Sequence, residues 1–172
     1  MEITQRRRVY DGHFKVNELT LKTAEGEELK RERFEPGHAV AALVFDTVKQ
    51  QYILTRQFRI GPEADLLEIA AGMIDHDDTP DASIRREIHE ELGYEVDALT
   101  PIVTMWSSPG VSGESIAVYY AEVSRQTGQG GGLAEEHEQI ELVFFTKEEL
   151  FAEPLQDAKT LLAVQWVRLP KA

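Results

Sequence analysis

The sequence predicts an α/β domain preceded by a small antiparallel sheet, on three observations. Before Phe34 the chain alternates in short extended patches, strand-like apolar runs flank a capped helix over residues 80–92, and residues 157–168 make a second amphipathic helix. A length of 172 residues with 42% hydrophobic content fits one ordinary domain with an ample core and room for an extra element. The expected division is an N-terminal strand subdomain over residues 1–36 and a main domain over residues 37–172.

At the N-terminus Phe14 with Val16, Leu19 with Leu21, then Leu29 and Phe34 mark two or three strands, with the turn at Ala24, Glu25, Gly26 and Glu27. So small a sheet buries little by itself and needs something to lean on. After Pro36 and Gly37, residues 39–45 are apolar enough for a strand buried on both faces, and residues 52–59 read as the returning strand. That strand carries Arg56 and Arg59, whose planar forks suit phosphate oxygens but are equally ordinary surface charges at a strand end. In the apolar run 66–72, Glu68 is either a buried carboxylate with a cation or N–H partners, or a strand residue facing out.

The helix over residues 80–92 carries the chemistry. Thr79 can cap it, Pro80 suits its first position, Asp81 complements its positive end and Gly93 can take the left-handed stop. Glu87, Glu90 and Glu91 stand at i, i+3 and i+4, on one face. Arg86, at i−4 from Glu90, relieves only part of their repulsion, and the apolar stripe of Ile84, Ile88 and Leu92 begins beside Glu91. Carboxylates crowded at the edge of a core favour a hard divalent cation with oxygen ligands, Mg²⁺ or Mn²⁺. The competing reading of such a face is a solvated one. An EF-hand is excluded, because Pro80 and Arg86 stand where the calcium loop needs Gly and Glu.

Beyond the helix, residues 94–99 and 102–106 look like strands. Ser108, Pro109 and Gly110 make a tight turn in the loop that ends at Glu114. Residues 115–123 form another strand, and 124–132, rich in glycine, have the composition of a mobile connection. An acid cluster follows, including Glu135, Glu136, Glu138 and Glu141, which suits a lid or a solvated loop. Residues 140–145 are the last strand, and Thr146 with Glu149 fits a capping box for a short helix.

Net charge −13 and pI near 4.8 argue against a nucleic-acid backbone or an anionic membrane as partner. With no cysteine there is neither a disulfide nor a thiolate site, which agrees with a cytoplasmic location. No signal peptide is expected from the first residues, and no apolar stretch approaches the ~20 residues that span a bilayer.

Gly72, five residues, an acid, seven residues and then Arg86, Glu87, Ile88, His89, Glu90, Glu91, Leu92, Gly93 and Tyr94 resemble the Nudix box of nucleoside-diphosphate-linked-moiety hydrolases. Six matched positions of ordinary abundance would coincide by chance on the order of once per million registers. Two residues depart from the pattern: Asp78 replaces Glu, and Tyr94 replaces an aliphatic residue.

The resemblance implies a Nudix fold, a mixed β-sheet sandwiched between helices with an N-terminal antiparallel β-subdomain. It also implies a homodimer through that subdomain. The activity implied is Mg²⁺-dependent cleavage of a nucleoside diphosphate sugar, ADP-ribose before GDP-mannose, with a catalytically silent nucleotide-binding module as the non-enzyme alternative. Metal ligands would be Glu87, Glu90, Glu91, the Ala71 carbonyl and Glu138. Glu136, or failing it Glu90, would act as general base. Arg56, Arg59, Glu68, Ser108, Pro109, Gly110 and Glu114 would border the substrate.

Overall fold

Alternating side chains at the N-terminus build a sheet of β1 (Glu2–Asp11), β2 (Lys15–Lys22) and β3 (Glu28–Phe34), in the order β1-β2-β3 with both pairings antiparallel. The computed structural model describes residues 1–75, 77–132 and 139–170. Turn chemistry places the β2–β3 connection where it was expected. Gly26 takes φ +90°, its N–H donates to the Thr23 carbonyl at 3.1 Å, and Thr23 Oγ1 accepts from the Glu27 N–H at 3.2 Å. β1 starts before the apolar patches do and includes Arg6, Arg7 and Arg8; acids of the same sheet hold Arg7 (Glu18, 3.0 Å) and Arg8 (Asp11, 3.1 Å).

Two compact units divide the chain, Met1–His38 with Met105–Ile116 and Ala39–Thr104 with Ala117–Ala172. In the first, the loop after Trp106 is clipped to β3: the Phe34 N–H donates to Val111 O and the Gly113 N–H to Phe34 O, each at 2.9 Å.

The second unit is organised on the larger part of a seven-stranded sheet. Its strands are β4 (His38–Asp46), β5 (Gln51–Arg59), β6 (Ala64–Glu68), β7 (Ala70–Met73), β8 (Tyr94–Trp106), β9 (Ser115–Gln126) and β10 (Glu141–Phe145). The path runs β10-β5-β4-β9-β8, with β6 on β5 and β7 on β4. Val40, Val44 and Ile53 pack with Ile84, Ile88 and Leu92 from the helix in one fully buried cluster. Each large side chain so buried contributes about 1.5–3 kcal/mol.

The apolar run 66–72 is divided between two strands. β6 pairs with β5 and β7 with β4, and between them the Ile69 N–H leaves the ladder for Thr160 Oγ1 at 2.9 Å. Conversely, the two strands expected over 94–106 are one, β8, which runs through Pro101. β8 ends the sheet path, and an edge position spares proline the missing ladder donor.

Among the described residues three α-helices complete the unit, α1 (Pro80–Glu87), α2 (Lys147–Ala152) and α3 (Ala158–Arg168). Thr146 and Glu149 make the capping box of α2, and Asp157 caps α3 through the Thr160 N–H.

Candidate active site

Thr79 caps α1 by accepting from the Ala82 N–H, and Pro80 and Asp81 occupy the first turn. The helix does not continue as α to its end. From Ile88 to Leu92 it widens into a π turn, stopped by Gly93 at φ +76°. Such turns recur at functional sites because the extra residue re-aims side chains. Here the π turn carries Glu90 and Glu91, while Glu87 closes the α segment.

The three acids sit at the margin of the core. Glu87 is 9% exposed and Glu91 4%, beside the fully buried Ile84, Ile88 and Leu92. Buried carboxylates require partners, and Arg86 is one: its Nη1 lies 2.9 Å from both Glu87 Oε1 and Glu90 Oε2, and its Nη2 3.3 Å from Asp75 Oδ2. Burial alone would lower the Arg86 pKa; the charges of Glu87 and Glu90 outweigh it and raise the pKa, so the guanidinium stays protonated.

Gly72 has a spatial reason to be glycine. A Cβ there would overlap the Glu87 carboxylate, so the bare backbone of β7 is the cradle into which that side chain fits. Next to it, the Ala71 N–H donates to Glu91 Oε2 at 3.2 Å. In an antiparallel strand the N–H and C=O of one residue point the same way, so the Ala71 carbonyl faces the helix too. Among the described residues no three acidic or histidine side chains already converge in ligand geometry; the guanidinium holds two of these acids instead. The donor set still fits a hard divalent cation, being carboxylate and carbonyl oxygen delivered to one strand–helix contact.

Arg56 lines a cavity of about 450 Å³ with Gln57, Phe58, Asp65, Gly131, Gln139, Ile140 and Glu141, a volume in the range of small-molecule sites. Its Nη1 rests 3.1 Å from Glu141 Oε2 in an exposed pair, which contributes little to stability. Arg59 is engaged differently. Its Nε lies 2.6 Å from Glu68 Oε2, while Lys159 Nζ lies 2.6 Å from Glu68 Oε1 and 3.0 Å from Asp157 Oδ1. Glu68 is therefore a buried carboxylate with cationic partners, one of which, Lys159 on α3, sequence reasoning missed. The only signal available was the cap motif at Asp157; nothing in the order of residues links position 159 to 68.

Ser108, Pro109, Gly110 and Glu114 belong to the first unit, in a loop closed by the Val111 and Ser112 N–H groups donating to Ser108 O at 3.1 and 2.8 Å. Glu136 and Glu138 lie outside the described residues.

The NUDIX domain model matches residues 35–167. GDP-mannose pyrophosphatase of Cronobacter sakazakii is 35% identical over 162 residues, covering 88% of this chain and 84% of its own. ADP-ribose pyrophosphatase of Escherichia coli K12 is 32% identical over 184 residues, covering 98% and 88%. A solved structure described as an ADP compounds hydrolase superposes with a TM-score of 0.81 at 22% identity, over 97% of this chain and 91% of that one, and so shares the fold. With the box residues assembled around Gly72 and the match extending over most of its length, the chain belongs to the Nudix hydrolase family.

Proposed function

We propose that this protein is a pyrophosphohydrolase of nucleoside diphosphate sugars, with ADP-ribose, cleaved to AMP and ribose 5-phosphate, as the first choice of substrate and GDP-mannose as the alternative. The observation that carries the reading is the delivery of Glu87 and Glu91 to the Ala71–Gly72 backbone, in a chain whose relatives are named pyrophosphatases of these two compounds.

Enzymes of this family generally need a divalent metal; Mg²⁺ is the proposed ion, with Mn²⁺ able to replace it. Glu87, Glu90, Glu91 and the Ala71 carbonyl would hold it, with Glu138 as a further ligand. When bound, such ions neutralise the diphosphate and the leaving phosphate and make a water acidic. They also remove a conflict: each carboxylate–phosphate pair at 4 Å costs about 1 kcal/mol in water and several times that at a protein surface. Glu136 takes the proton of the attacking water, with Glu90 next in line. Arg56 and Arg59 grip diphosphate oxygens, Glu68 fixes the fork of Arg59, and Ser108, Pro109, Gly110 and Glu114 border the substrate.

A homodimer is the proposed assembly. β1 is an edge strand with Ile3, Val9 and Tyr10 exposed, apolar surface that a second copy would cover, and light scattering checks it by mass. Among the described residues no helix is long and apolar enough to cross a membrane, and the proposed location is the cytoplasm.

Chromatography of products from ADP-ribose and GDP-mannose with Mg²⁺ tests the function. AMP release from ADP-ribose is expected, falling about 10²-fold or more in Glu136→Gln if that acid is the base. A stable complex with no nucleoside monophosphate released would instead make the protein a binding module.

A further inference from the structure

We propose that the glycine run 128–132 is a clasp that positions the π turn, with Gly130 and Gly131 as positioning residues for Glu90 and Glu91. This rests on the reading that the turn holds the divalent cation. A helix end leaves its last carbonyls without intrahelical partners. Here one loop supplies them: the Gly131 N–H donates to Glu91 O at 2.8 Å and the Gly132 N–H to Glu90 O at 3.3 Å. Just beyond, Gly93 O accepts from the Thr127 and Gly128 N–H groups at 2.8 and 2.9 Å.

A plain tether would tolerate side chains at these positions. This one does not. Gly130 has φ +68°, and a Cβ on it would stand 2.6 Å from Glu91 O and 2.7 Å from Leu92 C. On the other side of the contact, a Cβ on Gly93 would stand 2.8 Å from Gly130 N. The obstacles are backbone atoms, which cannot swing away, so backbone meets backbone only because both sides lack side chains. Gly131 and Gly132, at φ +101° and +80°, complete a path that L side chains rarely follow.

The clasp matters because a π turn is rare and its last carbonyls, like those of any helix end, need partners from outside the helix. Glu91 reaches Ala71 with its side chain while its carbonyl is fixed from behind by Gly131. Displacing that carbonyl to admit a Cβ at 130 moves the carboxylate off the β7 backbone. Gly131 also lines the Arg56 cavity, so one loop sets both the metal-binding turn and a wall of the substrate pocket.

Mn²⁺ titration of the full chain, with free ion read by electron paramagnetic resonance, tests this on wild type, Gly130→Ala and, as control, Gly61→Ala, where a Cβ meets nothing within 4 Å. Gly130→Ala should bind about tenfold more weakly or worse, as losses of groups that orient metal ligands do, and Gly61→Ala should match wild type. Equal affinity in a folded Gly130→Ala overturns the clasp and leaves the metal reading standing. A wild type that binds no Mn²⁺ overturns both. Should Gly130→Ala fail to fold, hydrogen exchange on wild type decides: the Gly131 and Gly132 amides should be protected, and more so with metal, whereas free exchange with or without it overturns the proposal.

Discussion

Arg86 has acids on several sides and one bond unmade. Its Nε is buried without a hydrogen-bond acceptor among the described residues, and Asp78 Oδ2 stops at 4.0 Å from it. Position 78 is where the Nudix pattern has Glu, and one more methylene would bring the oxygen within bonding distance. Asp78→Glu should therefore raise unfolding stability by about 1 kcal/mol, read by urea denaturation, and no gain would show that the gap is already filled. Tyr94, the other departure from the pattern, is explained by what its hydroxyl does. It donates to Asp46 Oδ2 at 3.1 Å and accepts from Lys49 Nζ at 2.7 Å, while Asp46 Oδ1 accepts from the Val48 and Lys49 N–H groups. An aliphatic residue would leave a buried carboxylate short of a donor, so Tyr94→Phe should cost about 1–3 kcal/mol in the same measurement; a neutral result would mean the Asp46 turn stands without it.

Elements whose causes are local were legible in the sequence. Thr79, Pro80 and Gly93 bound the helix because caps and left-handed stops act within a turn of chain, and Thr146 with Glu149 marks α2 for the same reason. What was not legible depends on distant groups. The widening of the last turn at Ile88 answers to Gly131 and Gly132 some forty residues on, the break at Ile69 to Thr160, and the burial of Glu68 to Lys159. The glycine run misleads for a related reason: composition registers missing side chains, and missing side chains serve close packing as well as mobility. Another long-range tie leaves a trace in pH. The Tyr119 hydroxyl donates to Asp81 Oδ1 at 2.9 Å, and burial first, then that acid, push its pKa up from its usual 10.0 to about 12. A raised folded-state value means the neutral phenol is favoured in the native protein, so its contribution is complete below pH 10 and disappears as pH climbs toward 12. Wild-type stability should fall more steeply across that window than that of Tyr119→Phe; parallel curves would contradict the assignment.

For the molecule as a whole, the apparent contradiction is an acidic protein acting on an anionic substrate. Net charge −13 repels a diphosphate at long range, so the proposed function requires a local reversal of sign, which the proposal assigns to bound cations and to Arg56 and Arg59. In the described structure Arg86 is the positive centre among the box acids, and two of them share its Nη1. The box glutamates were legible from spacing alone, but their arrangement around a guanidinium was not, because it is a property of packed side chains. The account stands or falls on whether a divalent ion engages these acids. Anomalous scattering from crystals soaked in Mn²⁺ measures that directly. The expected result is a peak within coordination distance of the Glu87 and Glu91 carboxylates and the Ala71 carbonyl, and a Mn²⁺-saturated crystal with no density beside those three residues would contradict it.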